Sequence, residues 1–285
     1  MKAILLIILA TPLLLGAPFR PDPIPASAKW YLHVDFEALQ ETDSGRILLN
    51  TIRKNHDAQI TEAINIFGFD PLADLTDLAL FGDGKAQRAA IILSGRLDRP
   101  HLEEVIVHAA KYTTSRHGET TIHAWDDQGK TQFAAFLGQS TVIVSEHKDL
   151  VDLAIDVVAG TQPGLAAAPG VSEENPVILG VAQIQKIDLP NDEGSKIIRN
   201  AETVEIAVSE KNERLHARLV VTAKSNDIAR TLRDALAGLI AIGKLTDENI
   251  NRLGIDHQST VEGKTMDMTL NISVSKALAL LSELQ

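Results

Sequence analysis

Apolar and polar positions alternate along this chain in two rhythms, one of period 2 and one of period 3.6, and the switches between them mark the elements. Trp30, Leu32, Val34 and Phe36 alternate with Tyr31, His33 and Asp35, which is strand spacing. From Phe36 the period becomes helical: Leu39, Ile47, Leu48, Ile52, Ile60, Ile64 and Phe67 share a stripe, interrupted near Asn55-His56-Asp57. Gly68 and Pro71 end that region. Leu75 to Phe81 and Ala89 to Leu93 predict a hairpin across Gly82-Asp83-Gly84. Asp98 caps a following helix, with Pro100 in its first turn and Leu102, Val105, Ile106 and Ala109 on its apolar face. Strands are expected around Thr120–Trp125 and Gln132–Val144, the second divisible at Gly138-Gln139-Ser140. A helix from Lys148 to Ala159 then stops at Gly160.

The order repeats after a stretch rich in Gly, Pro and Ala. Val177 to Ile184 reads as a strand, Ser195–Asn200 as a short helix, and Val204–Val208 with Leu215–Ala223 as a hairpin. Ser225 caps a strongly amphipathic helix, Asp227 to Leu245, with Ile228, Leu232, Ala235, Leu236, Leu239 and Ile242 on the face expected to be buried. A short helix at Asp247–Leu253 ends at Gly254, strands follow at Ile255–Val261 and Thr265–Val274, and Ser275–Leu284 closes the chain as a helix. Each half therefore reads β-α-β-β-α-β-β-α. Segments 88–109 and 216–237 set a strand, a polar turn with a cap and an amphipathic helix at the same offsets. The expected fold is α+β: two similar halves, 29–160 and 177–285, joined by a linker at 161–176, with antiparallel sheets and helices packed on one face.

The N-terminus breaks both rhythms. Met1-Lys2 precedes an apolar run from Ala3 to Ala17, too short to span a bilayer and suited to the core of a signal peptide. Pro18, Pro21, Pro23 and Pro25 then read as an extended linker, so residues 1–28 are expected to be a leader with its linker. Ala26-Ser27-Ala28 fits the small-x-small cleavage rule but lies about ten residues past the apolar core. A cut after Ala17 would leave Pro18 first, which is disfavoured. The reading is an exported bacterial protein, periplasmic or extracellular, not inserted in the membrane after processing.

Composition narrows the function. The 285 residues contain no cysteine, which excludes disulfides, zinc-thiolate sites, iron–sulfur clusters and cysteine nucleophiles. An exported domain without disulfides has to rely on its core. The net charge of −11 becomes −12 once Lys2, Arg20 and Asp22 leave with residues 1–28. That field opposes nucleic acid and anionic surfaces. Aromatic residues make up 4% of the chain, too few for the stacking platforms of sugar or single-strand binders.

Candidate chemistry is sparse. His33 and Asp35 stand at i and i+2 of the first strand, on one face, where an imidazole and a carboxylate suit a metal or an acid–base pair. The plainer reading has Asp35 capping the next helix and His33 on a solvated face. The other histidines (His56, His101, His108, His117, His123, His147, His216 and His257) pair at no metal spacing, and His117 and His123 read as surface hairpin residues. Asp70, Asp74 and Asp77 lack the central glycine and terminal glutamate of an EF-hand and read as turn residues. Gly82-Asp83-Gly84-Lys85 is not a P-loop, and Leu93-Ser94-Gly95 lacks the leading glycine of a nucleophile elbow. Loop carboxylates at Glu173, Glu174, Asp188, Asp192 and Glu193 have no aromatic setting for glycosidase work.

Several stretches carry a resemblance: KWYLHVDFEAL at 29–39, DLTDLALFGDGKAQRAAIILSGRL at 74–97, TTIHAWDD at 120–127 and STVIVSEHKDLVDLAIDVVAG at 140–160. With the leader, they make the chain similar to uncharacterised exported bacterial proteins of the planctomycete and verrucomicrobial kind. The resemblance implies export and a duplicated α+β fold and assigns no catalytic residue. The resulting expectation is a non-enzymatic binding or envelope-associated protein with no cofactor and no metal, whose partner is an envelope component or another protein. The alternative is a periplasmic hydrolase, metal-assisted, using His33 and Asp35.

Overall fold

The computed structural model describes residues 24–165 and 176–283. The apolar leader run and the middle of the expected linker lie outside the described residues. The fold is α+β, built on one twelve-stranded sheet. Its ladders are all antiparallel. The first arm contains β1 (Trp30–Asp35), α1 (Phe36–Glu41), α2 (Asp43–Asn55), α3 (Asp57–Phe67), β2 (Leu75–Gly82), β3 (Ala90–Gly95), α4 (Arg99–Val107), β4 (Thr113–His117), β5 (Thr120–Asp127), β6 (Lys130–Leu137), β7 (Thr141–Ser145) and α5 (Lys148–Val158). The second contains β8 (Ile178–Gln183), α6 (Glu193–Ile198), β9 (Ala201–Lys211), β10 (Arg214–Ala223), α7 (Asn226–Thr246), α8 (Glu248–Leu253), β11 (Asp256–Glu262), β12 (Thr265–Ser273) and α9 (Val274–Glu283).

The seam between the arms is the β1–β8 pair, with Trp30 opposite Ala182 and Val34 opposite Ile178. From it the strands run β1-β2-β3-β7-β6-β5-β4 in one direction and β8-β9-β10-β12-β11 in the other. Hairpins supply most neighbours because short connections favour sequential antiparallel pairing.

Strand alternation assigns each residue to a face. Tyr31, His33 and Asp35 stand opposite Phe81, Ala79 and Asp77 of β2 on one face, and Leu32 and Val34 point to the other. On the Val34 face, Val34, Phe36, Leu48 and Leu78 form a core with Leu215 and Val274 of the second arm. Leu102 of α4 caps a neighbouring cluster with Ala134, Phe136 and Val142. α7 packs Leu232, Leu236 and Ile240 on Val221, Met266 and Met268. The sequence places the helices on a single face; α5, however, covers the His33 face. There Leu150, Val151, Ala154 and Ile155 pack on Phe81, Ala90, Ile92 and Ile143.

Two local readings change. β4 has no apolar side chain and therefore no strand period to read: Thr113–His117 is an exposed edge strand paired to β5, where polar residues protect an open edge. In α7, Leu239 and Ile242 are 64% and 57% exposed, whereas Leu232 and Leu236 of the expected face, joined by Ile240, pack partly buried on the sheet and Ala229 is buried. Helix spacing alone does not set the width of the stripe; docking on β10 and β12 does. In the segment the sequence assigns to the leader and its linker, Ile24, Pro25 and Ala28 are buried and Ala26 and Ser27 are exposed.

Candidate functional site

A cleft of about 1070 Å³ opens on the His33 face. That exceeds the usual ~300–1000 Å³ of a small-molecule site. Ala79 of β2 and Ile92 of β3 form its apolar floor. One wall is Leu137 and the β6–β7 turn; the other is the end of α5 with the segment through Gln162, Gly164 and Leu165. Arg99 Nη1 donates to the Gly138 carbonyl of that turn at 2.8 Å, and its guanidinium lies 5.3 Å from the Phe136 ring, which the register places on the opposite face of the sheet.

A polar row crosses the strand ends at the rim. Asp77 stands opposite Ser94, and Ser94 opposite Thr141, so all three project to the cleft side of the sheet. His33, 2% exposed, reaches diagonally across to Asp77, with Nε2 at 3.1 Å from Oδ1. Ser94 Oγ and Thr141 Oγ1 share a hydrogen bond of 3.1 Å. The register slips between Leu75 and Asp77, and Thr76 joins the lining there.

The His33–Asp35 pair divides its work. Asp35 is buried and its Oδ1 accepts from the Ala38 backbone N–H at 2.8 Å, capping α1 as the sequence allows. His33 is buried and turned to Asp77, which corrects its placement on a solvated face. A serine relay needs the imidazole between hydroxyl and carboxylate. Here the order across adjacent strands is imidazole, carboxylate, hydroxyl, and the Ser94 hydroxyl is bonded to Thr141. The row is therefore two hydrogen-bonded pairs side by side at a cleft mouth, suited to orienting a ligand.

Asp77, read from the sequence as a turn residue, lies within β2, and the meeting of Asp77, Ser94 and Thr141 with His33 escapes a sequence reading because all three lie 44 or more residues from His33. Their signal is a polar residue at the end of an otherwise apolar strand, which is common. The other acidic turn residues serve the approach to β2. Asp70 Oδ1 accepts from Leu72 N at 2.9 Å, Asp74 Oδ2 accepts from Asp70 N at 2.8 Å, and Asp74 Oδ1 binds Arg96.

Of the two hairpin histidines, His117 lies partly exposed at the β4–β5 turn as expected and His123 does not. His123 is buried rather than on the surface, bonded through Nδ1 to Tyr112 Oη at 3.0 Å and edge-on to Phe136. Burial holds its imidazole pKa below the ordinary value. His117 Nε2 lies 2.8 Å from Asp156 Oδ1 on α5, and that hydrogen bond holds the Asp156 carboxyl below the usual carboxylate range. Among the described residues no group of three or more His, Asp or Glu side chains is placed to hold a metal ion, and no helix is long and apolar enough to cross a membrane.

No family model matches the chain, and no curated protein matches it. Solved structures that are similar include crystal form III of TP0453, at 11% identity and a TM-score of 0.49, covering 94% of this chain and 100% of that one. Crystal form I of TP0453 has 11% identity and a TM-score of 0.48, with 94% and 98% covered. Crystal form IV has 9% identity and a TM-score of 0.49, with 93% and 97% covered.

Proposed function

We propose that the chain is an exported, non-enzymatic binding protein of the bacterial envelope whose ligand seats in the cleft on the His33 face. The observation that carries this reading is the cleft itself: an apolar floor at Ala79 and Ile92 and a hydrogen-bonding rim in which His33 faces Asp77 and Ser94 faces Thr141. Such a site takes a molecule with an apolar body and a polar end. The leader-like run at Ala3–Ala17 and the cysteine-free composition support the location.

The test uses 1-anilinonaphthalene-8-sulfonate, an amphiphile with both parts, on the folded chain. Saturable one-to-one fluorescence enhancement is expected, weakened at least about fivefold by Thr141→Phe, which fills the mouth while keeping the strand. Equal binding by the variant removes the cleft from consideration. The hydrolase reading predicts instead a stoichiometric metal lost in His33→Ala.

A further inference from the structure

The residues just ahead of β1 back the outer wall of the cleft. Ile24 is completely buried in the cluster that contains Tyr31, Phe81 and Val151, and Leu165 packs against the same cluster. Pro25 makes an antiparallel bridge to Gly164. The Leu165 N–H donates to the Ile24 carbonyl and the Ala26 N–H to the Pro163 carbonyl, both at 2.9 Å. Lys29 N donates to the Gly82 carbonyl at 2.8 Å, tying the same segment to the end of β2. Gly164 and Leu165, which these contacts fix, line the cleft.

We infer that export processing cuts the chain ahead of Ile24, so that residues 24–28 stay in the mature protein as a strap holding the 163–165 wall of the cleft. The processing half of this inference rests on the leader reading; the strap half does not. Ala26-Ser27-Ala28 satisfies the small-x-small rule, but a cut after Ala28 would remove Ile24 and Pro25 from the core. It would also leave Leu165 N and the Pro163 carbonyl without the backbone partners they have here. The cut that the fold tolerates therefore lies among residues 17–23, closer to the apolar run.

Two measurements test the two halves separately. The full chain is expressed with its own N-terminus in a Gram-negative host and the exported product is sequenced from its first residue. A start between Pro18 and Ile24 is expected. A start at Lys29 overturns the inference, and a start at Met1 overturns the leader reading on which the cut depends. For the strap, chains 18–285 and 29–285 are made without a leader and melted. The shorter chain is expected to melt at least about 5 °C lower. Equal melting temperatures overturn the strap. Should 29–285 not fold, Ile24→Ala in 18–285 keeps the backbone bonds and is expected to lose about 5 °C or more. An unchanged melting temperature in that variant overturns the strap equally.

Discussion

Glu205 is the residue whose burial asks most of its surroundings. It lies on the His33 face of β9, in register with Val181 and so one strand removed from Tyr31. Its Oε2 is buried with no hydrogen-bond partner among the described residues. Burial pushes its carboxyl above the ordinary glutamate value, against the pull of Arg218, which is itself committed to Asp267 at 2.6 Å. Burial, and then the neighbouring Glu205, push the Tyr31 phenol up as well. A carboxyl with a raised folded pKa binds protons more tightly folded than unfolded, so its contribution is full below the ordinary value of 4.5 and is lost as pH rises above it. Glu205→Gln is therefore expected to stabilise the chain at pH 7 and to make little difference at pH 4. Thermal melts of both proteins from pH 4 to 8 check this, and a gain that does not grow with pH refutes it. His123 acts with the opposite sign: its lowered pKa costs stability as pH falls below its ordinary 6.5. At this scale the sequence shows roles that are local. Asp35 caps its own helix three residues on, and that is legible. The His33–Asp77 contact is not, because strand pairing brings the two together across 44 residues.

At the scale of elements, amphipathic spacing locates helices better than it orients them. Ser225 accepts from Ile228 N and starts α7 where expected. Its stripe is narrower than the spacing implies, though: Leu232 and Leu236 face the core as expected, and Leu239 is turned outward. Leu232→Asp is expected to cost roughly 3 kcal/mol, and Leu239→Asp, at 64% exposure, within about 0.5 kcal/mol. Urea unfolding of the two variants checks that difference; equal losses would contradict it. Strands follow the same rule. β2 and β3 alternate around a buried face and were legible, whereas β4, polar throughout, is defined by its hydrogen bonds to β5.

At the scale of the molecule, the two arms share their cores. Leu179, Val181 and Ala207 pack with Tyr31, Phe81 and Ile92, and Leu215 and Val274 pack with Val34 and Leu48. Ser44 of α2 donates to the carboxylate of Glu210 on β9, a further tie between the arms. Separating them would expose both clusters and the unpaired edges of β1 and β8. One cooperative calorimetric transition is therefore expected for the described fold, with calorimetric and van't Hoff enthalpies in agreement. Two resolved transitions would show that the arms fold independently.

The sequence by itself determined the α+β class, the place of nearly every helix and hairpin, the caps at Asp35, Asp98 and Ser225, and the exclusion of thiol chemistry. These follow from interactions within a few residues, which spacing and side-chain type encode directly. Only the tertiary structure decided that the arms form one sheet, that α5 lies on the opposite face from α7, and that His33, Asp77, Ser94 and Thr141 share the rim of one cleft. Those depend on which strand edges pair and on the register they adopt. Many apolar strands satisfy the same local pattern, and the choice among them is made by burying the whole set of faces at once.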